Sequence, residues 1–197
     1  MLFRGLVNGI PVTGSLKENS LSLAEDERLV VSWDLGGRLY SVWRFKHTWR
    51  RGLNGEVLYK WYEEGAGGPA SRGYDERRRR TLTREEAAPV VDEAARFASR
   101  ALAAMQEMPG SWSGRENPGV WSLFLQRLEA CARFNSGVAD ADAARFAELY
   151  RPVGILPPDQ YLSVVLQATE GCSFGSCTFC ATVSAVRRIE RIARITT

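Results

Sequence analysis

The sequence predicts an α+β fold, in which an N-terminal antiparallel β-meander and a helical segment precede a strand that ends in a cysteine-rich loop. Three observations support this prediction. The first part alternates apolar and polar residues between glycine-containing turns, the middle carries apolar residues at helical spacing, and an apolar run near the C-terminus leads into three clustered cysteines. We therefore divide the chain into an antiparallel β module (1–63), a Gly/Arg-rich linker (64–80), a helical segment (81–152) and a C-terminal part (153–197).

The β module is predicted from its alternating runs. Residues 28–34, 38–46 and 56–62 each alternate apolar with polar side chains, which is the period of a strand with one buried face. Gly36-Gly37 and Asn54-Gly55 separate these runs, and Asn-Gly is a strong signal for a hairpin turn. Short connections favour antiparallel neighbours, so this part of the sequence predicts a meander.

Three helices are predicted in the helical segment. Thr83 and Glu86 have the spacing of a capping box, but Pro89 indicates that the regular part of the first helix begins near that proline. The second helix begins after Asn117, and the third covers about residues 140–150. Apolar residues at helical spacing along the first two predict that each packs through one side.

Composition and charge limit the classes of function. The chain has 197 residues, 45% of them hydrophobic, and a formal net charge of +3, which does not by itself demand a polyanionic partner. The N-terminus lacks the apolar region and cleavage site of a signal peptide, and no apolar run is long enough for a transmembrane helix. We therefore expect a cytoplasmic protein without a membrane partner, in whose reducing environment clustered cysteines bind a metal or take part in catalysis.

Cys172, Cys177 and Cys180 form the most informative motif of the chain. They follow an apolar run at 161–168, which reads as a strand buried on both faces. Thiolate ligands select zinc, copper(I) or an iron–sulfur cluster, and three thiolates leave one coordination position open. Zinc completed by a distant ligand is the alternative, for which the candidates are the only histidine, His47, and the only other cysteine, Cys131.

The spacing of these cysteines resembles that of the radical S-adenosylmethionine (radical SAM) superfamily. The pattern is Cys-x4-Cys-x2-Cys, preceded by Thr-Glu-Gly and with Phe179 before the last cysteine, and the resemblance covers residues 155–180. It implies that Cys172, Cys177 and Cys180 each ligate one iron of a [4Fe–4S] cluster, whose fourth iron binds S-adenosylmethionine. It also implies an electron donor such as flavodoxin or ferredoxin, reductive cleavage of S-adenosylmethionine, and radical chemistry on an unknown substrate.

The resemblance further implies that residues 153–197 begin a partial (β/α) barrel, with the cluster loop after its first strand. Such a barrel needs many more residues than the stretch 181–197 that follows the motif here. We therefore expect a fragment of a longer enzyme, and we expect this polypeptide alone not to turn over S-adenosylmethionine. The alternative is a non-catalytic zinc- or cluster-binding module associated with nucleic acid.

Two other stretches raise the question of nucleic acid. The run Arg77–Arg80 could contact phosphates, and residues 44–51 interleave aromatic rings with positive charges, as in a stacking platform for single strands. For both, the sequence favours a structural interpretation, which is a solvated charged linker and a strand whose aromatic rings pack on the helices. His47 has no carboxylate partner placed by the sequence, and Cys131 lies on an apolar helix stripe, so both stay outside the predicted site.

Overall fold

The computed structural model describes residues 1–26, 28–63, 76–150, 169–170 and 190–191. The chain divides into two compact units, Met1–Ala144 and Arg145–Thr197. The first unit contains an antiparallel sheet in which every strand pairs with its neighbours along the chain. Its strands are β1 (Leu2–Val7), β2 (Ile10–Leu16), β3 (Ser20–Glu25), β4 (Leu29–Asp34), β5 (Leu39–Arg44), β6 (His47–Arg51), β7 (Val57–Glu63) and β8 (Glu76–Thr81).

Tight turns connect most of these strands, and glycine makes two of them feasible. Between β1 and β2, Asn8 and Gly9 have φ values of 51° and 80°, which is the left-handed pair that a two-residue hairpin requires. Gly55, before β7, has a φ of 84°. These turns are the reason why consecutive strands lie side by side in the sheet.

Three helices follow the sheet, namely α1 (Arg84–Glu107), α2 (Pro118–Arg133) and α3 (Ser136–Leu149), with a 3-10 turn at Pro109–Ser111 before α2. The prediction that the first helix begins near Pro89 is wrong, because α1 begins at Arg84. Its capping box is complete: Thr83 Oγ1 accepts from the Glu86 amide at 3.3 Å, and the Glu86 carboxylate accepts from the Thr83 amide at 2.9 Å. This cap fixes the first turn ahead of the proline.

Helices α1 and α2 cover one side of the sheet, which we call the inner face; the opposite side is the outer face. Alternate residues of β1–β5 point to the inner face and form the core with the helices, and Trp49 of β6 packs against this core. Two glycines on this face let aromatic rings lie against the strands. A Cβ at Gly5 would overlap the indole of Trp112, and one at Gly14 would stand 2.5 Å from the ring of Phe124. Fully buried core side chains include Phe3, Leu21, Leu23, Val31, Trp33, Phe97, Met105, Phe124 and Leu128.

The predicted fold class is wrong in its C-terminal part. The described residues form an open eight-stranded antiparallel sheet followed by three helices, and they contain no partial (β/α) barrel. In the second unit, β9 (Thr169–Glu170) pairs with β10 (Glu190–Arg191) in antiparallel register. A (β/α) barrel is built from parallel strands joined by helical crossovers, so this pairing does not belong to one. The predicted strand at 161–168 lies outside the described residues.

The predicted linker 64–80 is also shorter than the sequence suggests, because β8 begins at Glu76. Arg78 lies opposite Trp61 and Arg80 lies opposite Tyr59 in the pairing of β7 with β8. Two arginines of this strand therefore lie opposite aromatic residues, although the strand contains no apolar residue of its own. Composition alone reads such a run as solvated charge, which explains the error.

Candidate functional site

The three cysteines of the predicted metal site, Cys172, Cys177 and Cys180, lie outside the described residues. The structure describes the two ends of the segment that contains them, since β9 stops at Glu170 and β10 starts at Glu190. Glu170 lies directly opposite Glu190 in the antiparallel pair, a relation in which Cα atoms are about 4.5–5.5 Å apart. Pairing the ends of a segment reduces the entropy that is lost when its residues gather on one metal.

Cys131 is not available as a further thiolate ligand. It lies on the buried side of α2, where its side chain is fully enclosed in the core. Burial raises the pKa of its thiol to about 12, whereas the thiolate is the form that binds metals. Sequence reasoning placed Cys131 on an apolar stripe and outside the site, and the structure agrees.

The imidazole of His47 interacts with the side chain of Tyr59. Its Nδ1 lies 2.7 Å from the hydroxyl of Tyr59, and its ring stacks on the same tyrosine with centroids 5.9 Å apart. In the part of the chain that the structure describes, no group of three or more His, Cys, Asp or Glu side chains could hold a metal ion. The described residues therefore offer no metal centre of their own.

His47 belongs to a row of half-buried aromatic rings on the inner face of β6 and β7. Trp49 stacks on Tyr59 at 5.1 Å, and Tyr59 stacks on Trp61 at 4.8 Å. Trp49 also packs against the core beside α1. The structural interpretation of residues 44–51 thus holds for Trp49, which lies on the side of the sheet that the helices cover.

The arginines on this inner face are neutralised by carboxylates. Arg44 donates to Glu93 of α1 at 2.7 Å, and Arg78 donates to Glu63 at 3.2 Å. Arg80 donates to both carboxylate oxygens of Glu86 at 2.7 Å, and these hydrogen bonds lower the pKa of Glu86 to about 2. Such pairs stabilise the local fold and leave little net charge for a ligand.

Arg51 is the inner-face arginine whose side chain is buried and has several partners. Its side chain is 2% exposed, and it donates to the carbonyl of Ala139 at 2.8 Å and to Asp142 at 3.3 Å. The guanidinium also lies 5.0 Å from the ring centroid of Phe134. This cation joins the sheet to the start of α3.

The outer face of β5–β8 is different. Strand register places Trp43 opposite Thr48, Thr48 opposite Lys60, and Lys60 opposite Arg79, which makes one row across four strands. Arg50 lies on the same face of β6. Arg50 and Arg79 are exposed, and no ion pair or hydrogen bond of either side chain is found within the described residues.

Sequence reasoning identified only part of this outer surface. It noticed residues 44–51 but assigned Arg79 to a linker and did not connect Lys60 or Tyr62 with the platform. The signal that could have found them is the alternation of side chains along a strand. Lys60 and Tyr62 are two residues apart on β7 and so share its outward side, and Arg79 lies opposite Lys60 on β8.

No protein-family model matches the chain, and comparisons with curated proteins and with solved structures find no significant match. Within the described residues, no helix is long and apolar enough to cross a membrane.

Proposed function

We propose that Cys172, Cys177 and Cys180 bind a [4Fe–4S] cluster of the radical SAM type. The observation that carries the proposal is the motif Thr-Glu-Gly-Cys-x4-Cys-x2-Cys with Phe179 before its last cysteine. Three thiolates in such a short segment suit an iron–sulfur centre, and three of the four irons of a cubane would then have a protein ligand. The proposal concerns this site and includes no barrel.

The donor set supports an open position on the fourth iron. Cys131, the only other cysteine of the chain, is buried and protonated, so it does not supply a fourth thiolate. The amino and carboxylate groups of S-adenosylmethionine are the ligands that the resemblance assigns to the remaining position. When bound and reduced, the cluster supplies the electron that cleaves S-adenosylmethionine and starts radical chemistry on a substrate.

The protein's own contribution is to hold three deprotonated sulfurs at one place. Pairing of Glu170 with Glu190 keeps both ends of the cysteine segment together. The proposal includes a cytoplasmic location and a flavodoxin or ferredoxin as electron donor, because thiolate-bound clusters require a reducing environment and a one-electron source.

The test is anaerobic reconstitution with iron and sulfide, followed by absorption spectroscopy and measurement of bound iron. We expect a brown protein, and we expect Cys172→Ala, Cys177→Ala and Cys180→Ala each to lose the bound iron. Cys131→Ala is the matched control and should retain it, because Cys131 lies in the core. Equal iron retention by all four variants would rule out the assignment of ligands.

A second candidate is a non-catalytic module in which the same cysteines bind zinc as a structural ion. The antiparallel pairing of β9 with β10 favours it, because a cluster loop in a (β/α) barrel is followed by a helix rather than by an antiparallel strand. A colourless protein that holds stoichiometric zinc as purified would support this candidate over the first.

A further inference from the structure

We propose that a cavity between α1 and strands β4–β6 binds a short aliphatic carboxylate, with the hydrocarbon end of the ligand inside the protein and its carboxylate beside Arg100. We call this space the α1 cavity. All of its lining residues belong to the first unit, so the proposal is independent of the cysteine site.

The walls of the α1 cavity are largely apolar. The cavity has a volume of about 90 Å³, and its lining comes from the inner face of the sheet and from one side of α1. The buried core residues of this lining include Val31, Val42, Ala94 and Phe97, and the half-buried ones are Trp49 and Val90. Apolar walls of this kind exclude water and favour a hydrocarbon group over a polar one.

The volume of the cavity limits the size of that hydrocarbon group. An apolar cavity of about 150 Å³ accommodates benzene, which has six carbon atoms. At about 90 Å³, the α1 cavity has room for a group of about four carbon atoms. A ring or a long acyl chain would displace core side chains, which is costly in a close-packed interior.

Three exposed charged side chains line the opening of the cavity. Arg44 of β5 donates to Glu93 of α1 at 2.7 Å, and this pair is neutral as a whole. Arg100 is the third, and its guanidinium carbon lies 5.9 Å from the ring centroid of Phe97. In the described part of the chain, no carboxylate forms an ion pair with Arg100. Two arginines and one glutamate therefore leave one positive charge at the opening.

An apolar interior with one uncompensated cation at its entrance fits an anion that has a hydrocarbon end. The guanidinium offers donors in a planar fork that matches a carboxylate. Arg100 lies three residues after Phe97, a rise of about 4.5 Å along the helix. A carboxylate at Arg100 would thus place a short hydrocarbon group beside the Phe97 ring. An alkylamine would meet a like charge, and a neutral hydrocarbon would leave Arg100 without a role.

The experiment is methyl NMR spectroscopy of the full chain during titration with 3-methylbutanoate, which joins a four-carbon group to a carboxylate. We expect saturable shifts of the methyl signals of Val31, Val42 and Val90, with a dissociation constant on the order of 1 mM. Val12 is buried in the core but does not line the cavity, so its signals should not move. Acetate, which has the charge but little hydrocarbon, should bind at least about tenfold more weakly.

The role of the charge is tested with 3-methylbutanamide, the neutral analogue of the acid. Arg100→Gln should weaken binding of the acid by about fivefold and leave binding of the amide unchanged. Arg96→Gln is the matched control, because Arg96 is exposed on the same helix, does not line the cavity, and changes the net charge by the same amount. It should leave the affinity for both compounds unchanged.

The location of the hydrocarbon group is tested by filling the cavity. Ala94→Leu adds three carbon atoms at a buried wall and should abolish binding of both the acid and the amide. Val90→Phe fills the same space from a half-buried position, where a larger side chain is better tolerated. The second variant ensures that a folding defect at Ala94 does not decide the result.

Four outcomes would overturn the proposal. The first is the absence of saturable shifts at concentrations about tenfold above the expected dissociation constant, which would make the cavity a packing void. The second is equal affinity for the acid and the amide. The third is an Arg96→Gln variant that weakens binding as much as Arg100→Gln does. The fourth is unchanged binding in a folded Ala94→Leu or Val90→Phe variant, which would locate the ligand elsewhere.

Discussion

Arg50 and Arg51 are consecutive residues of β6 with opposite surroundings. Arg50 is exposed on the outer face, whereas Arg51 is buried on the inner face between Ala139, Asp142 and Phe134. The same type of residue therefore contributes to the packed interior at position 51 and is exposed to solvent at position 50. The period of a β-strand separates these roles, because successive side chains point to opposite faces.

The comparison extends to the arginines of the neighbouring strands. Arg44, Arg78 and Arg80 lie on the inner face and pair with Glu93, Glu63 and Glu86 respectively. Arg79, between two of them in sequence, lies on the outer face next to Lys60. Arginines that are neighbours in the sequence thus fall into two groups in the structure. Those on the inner face form ion pairs with carboxylates of the protein, and Arg79 on the outer face is exposed to solvent.

The largest effect on stability is expected from replacing Arg51, the buried one of the two consecutive arginines of β6. Arg51→Ala should lower the free energy of unfolding by about 3 kcal/mol, because it empties a buried site on the inner face and leaves the Ala139 carbonyl without its arginine donor. Asp142 keeps its hydrogen bond from Arg38 at 2.8 Å. Arg50→Ala should change it by no more than about 0.5 kcal/mol. Urea denaturation of both variants measures the difference, and equal effects would show that the two faces are not distinct.

The close packing of the inner face gives the next effect. Gly5→Ala should destabilise the protein by about 2 kcal/mol, because the added methyl group would overlap the indole of Trp112. Gly110→Ala is the control, since a Cβ at that position meets no atom within 4 Å. Thermal melts of the two variants should separate clearly; a neutral Gly5→Ala would mean that Trp112 does not lie on β1.

A smaller effect is expected at the start of α1, where the inner-face pair of Arg80 and Glu86 meets the capping box. Thr83→Ala removes the hydroxyl that accepts from the Glu86 amide and should cost about 1 kcal/mol. Thr83→Ser keeps an acceptor at that position and is expected to lose less. The order of unfolding midpoints, wild type above Ser above Ala, checks the role of the cap.

The pair of Arg80 and Glu86 also predicts a dependence on pH. Hydrogen bonds from Arg80 lower the pKa of Glu86 from 4.5 to about 2 in the folded state. The stabilisation is therefore complete above pH 4.5 and is lost as the pH falls from 4.5 to 2.

Glu86→Gln should accordingly be less stable than the wild type near neutral pH, and this difference should disappear by about pH 2. Urea midpoints measured across that range test the sign. Glu107→Gln, at the other end of α1 and without an ion pair in the described structure, should show no such convergence. A constant difference between Glu86→Gln and wild type would contradict the assigned cause.

Much of the first unit follows from local patterns in the sequence. Alternation predicted strands near β4, β5 and β7, Asn54-Gly55 predicted the turn before β7, and α2 starts directly after its predicted cap, Asn117. The third helix begins at Ser136, about four residues before its predicted start. The patterns failed where stability comes from partners that are distant in sequence. The arginines of β8 are a strand because β7 lies beside them, and α1 tolerates Pro89 because its cap holds the first turn.

In the C-terminal part, a sequence motif predicts the chemistry of a site but not the fold around it. Three cysteines predict a metal centre from their chemistry alone, but the barrel came from resemblance, and the antiparallel pairing of β9 with β10 overturns it. Thiolate spacing constrains the ligands of a metal and leaves the surrounding topology open. The site and the fold are separate inferences, and only the second is corrected here.

Electron paramagnetic resonance of the anaerobically reconstituted and reduced protein tests the proposed cluster most directly. The account predicts the signal of a reduced [4Fe–4S] cluster, a change in that signal when S-adenosylmethionine is added, and loss of the signal in Cys177→Ala but not in Cys131→Ala. An iron-free protein, or a signal that survives replacement of Cys177, would contradict it.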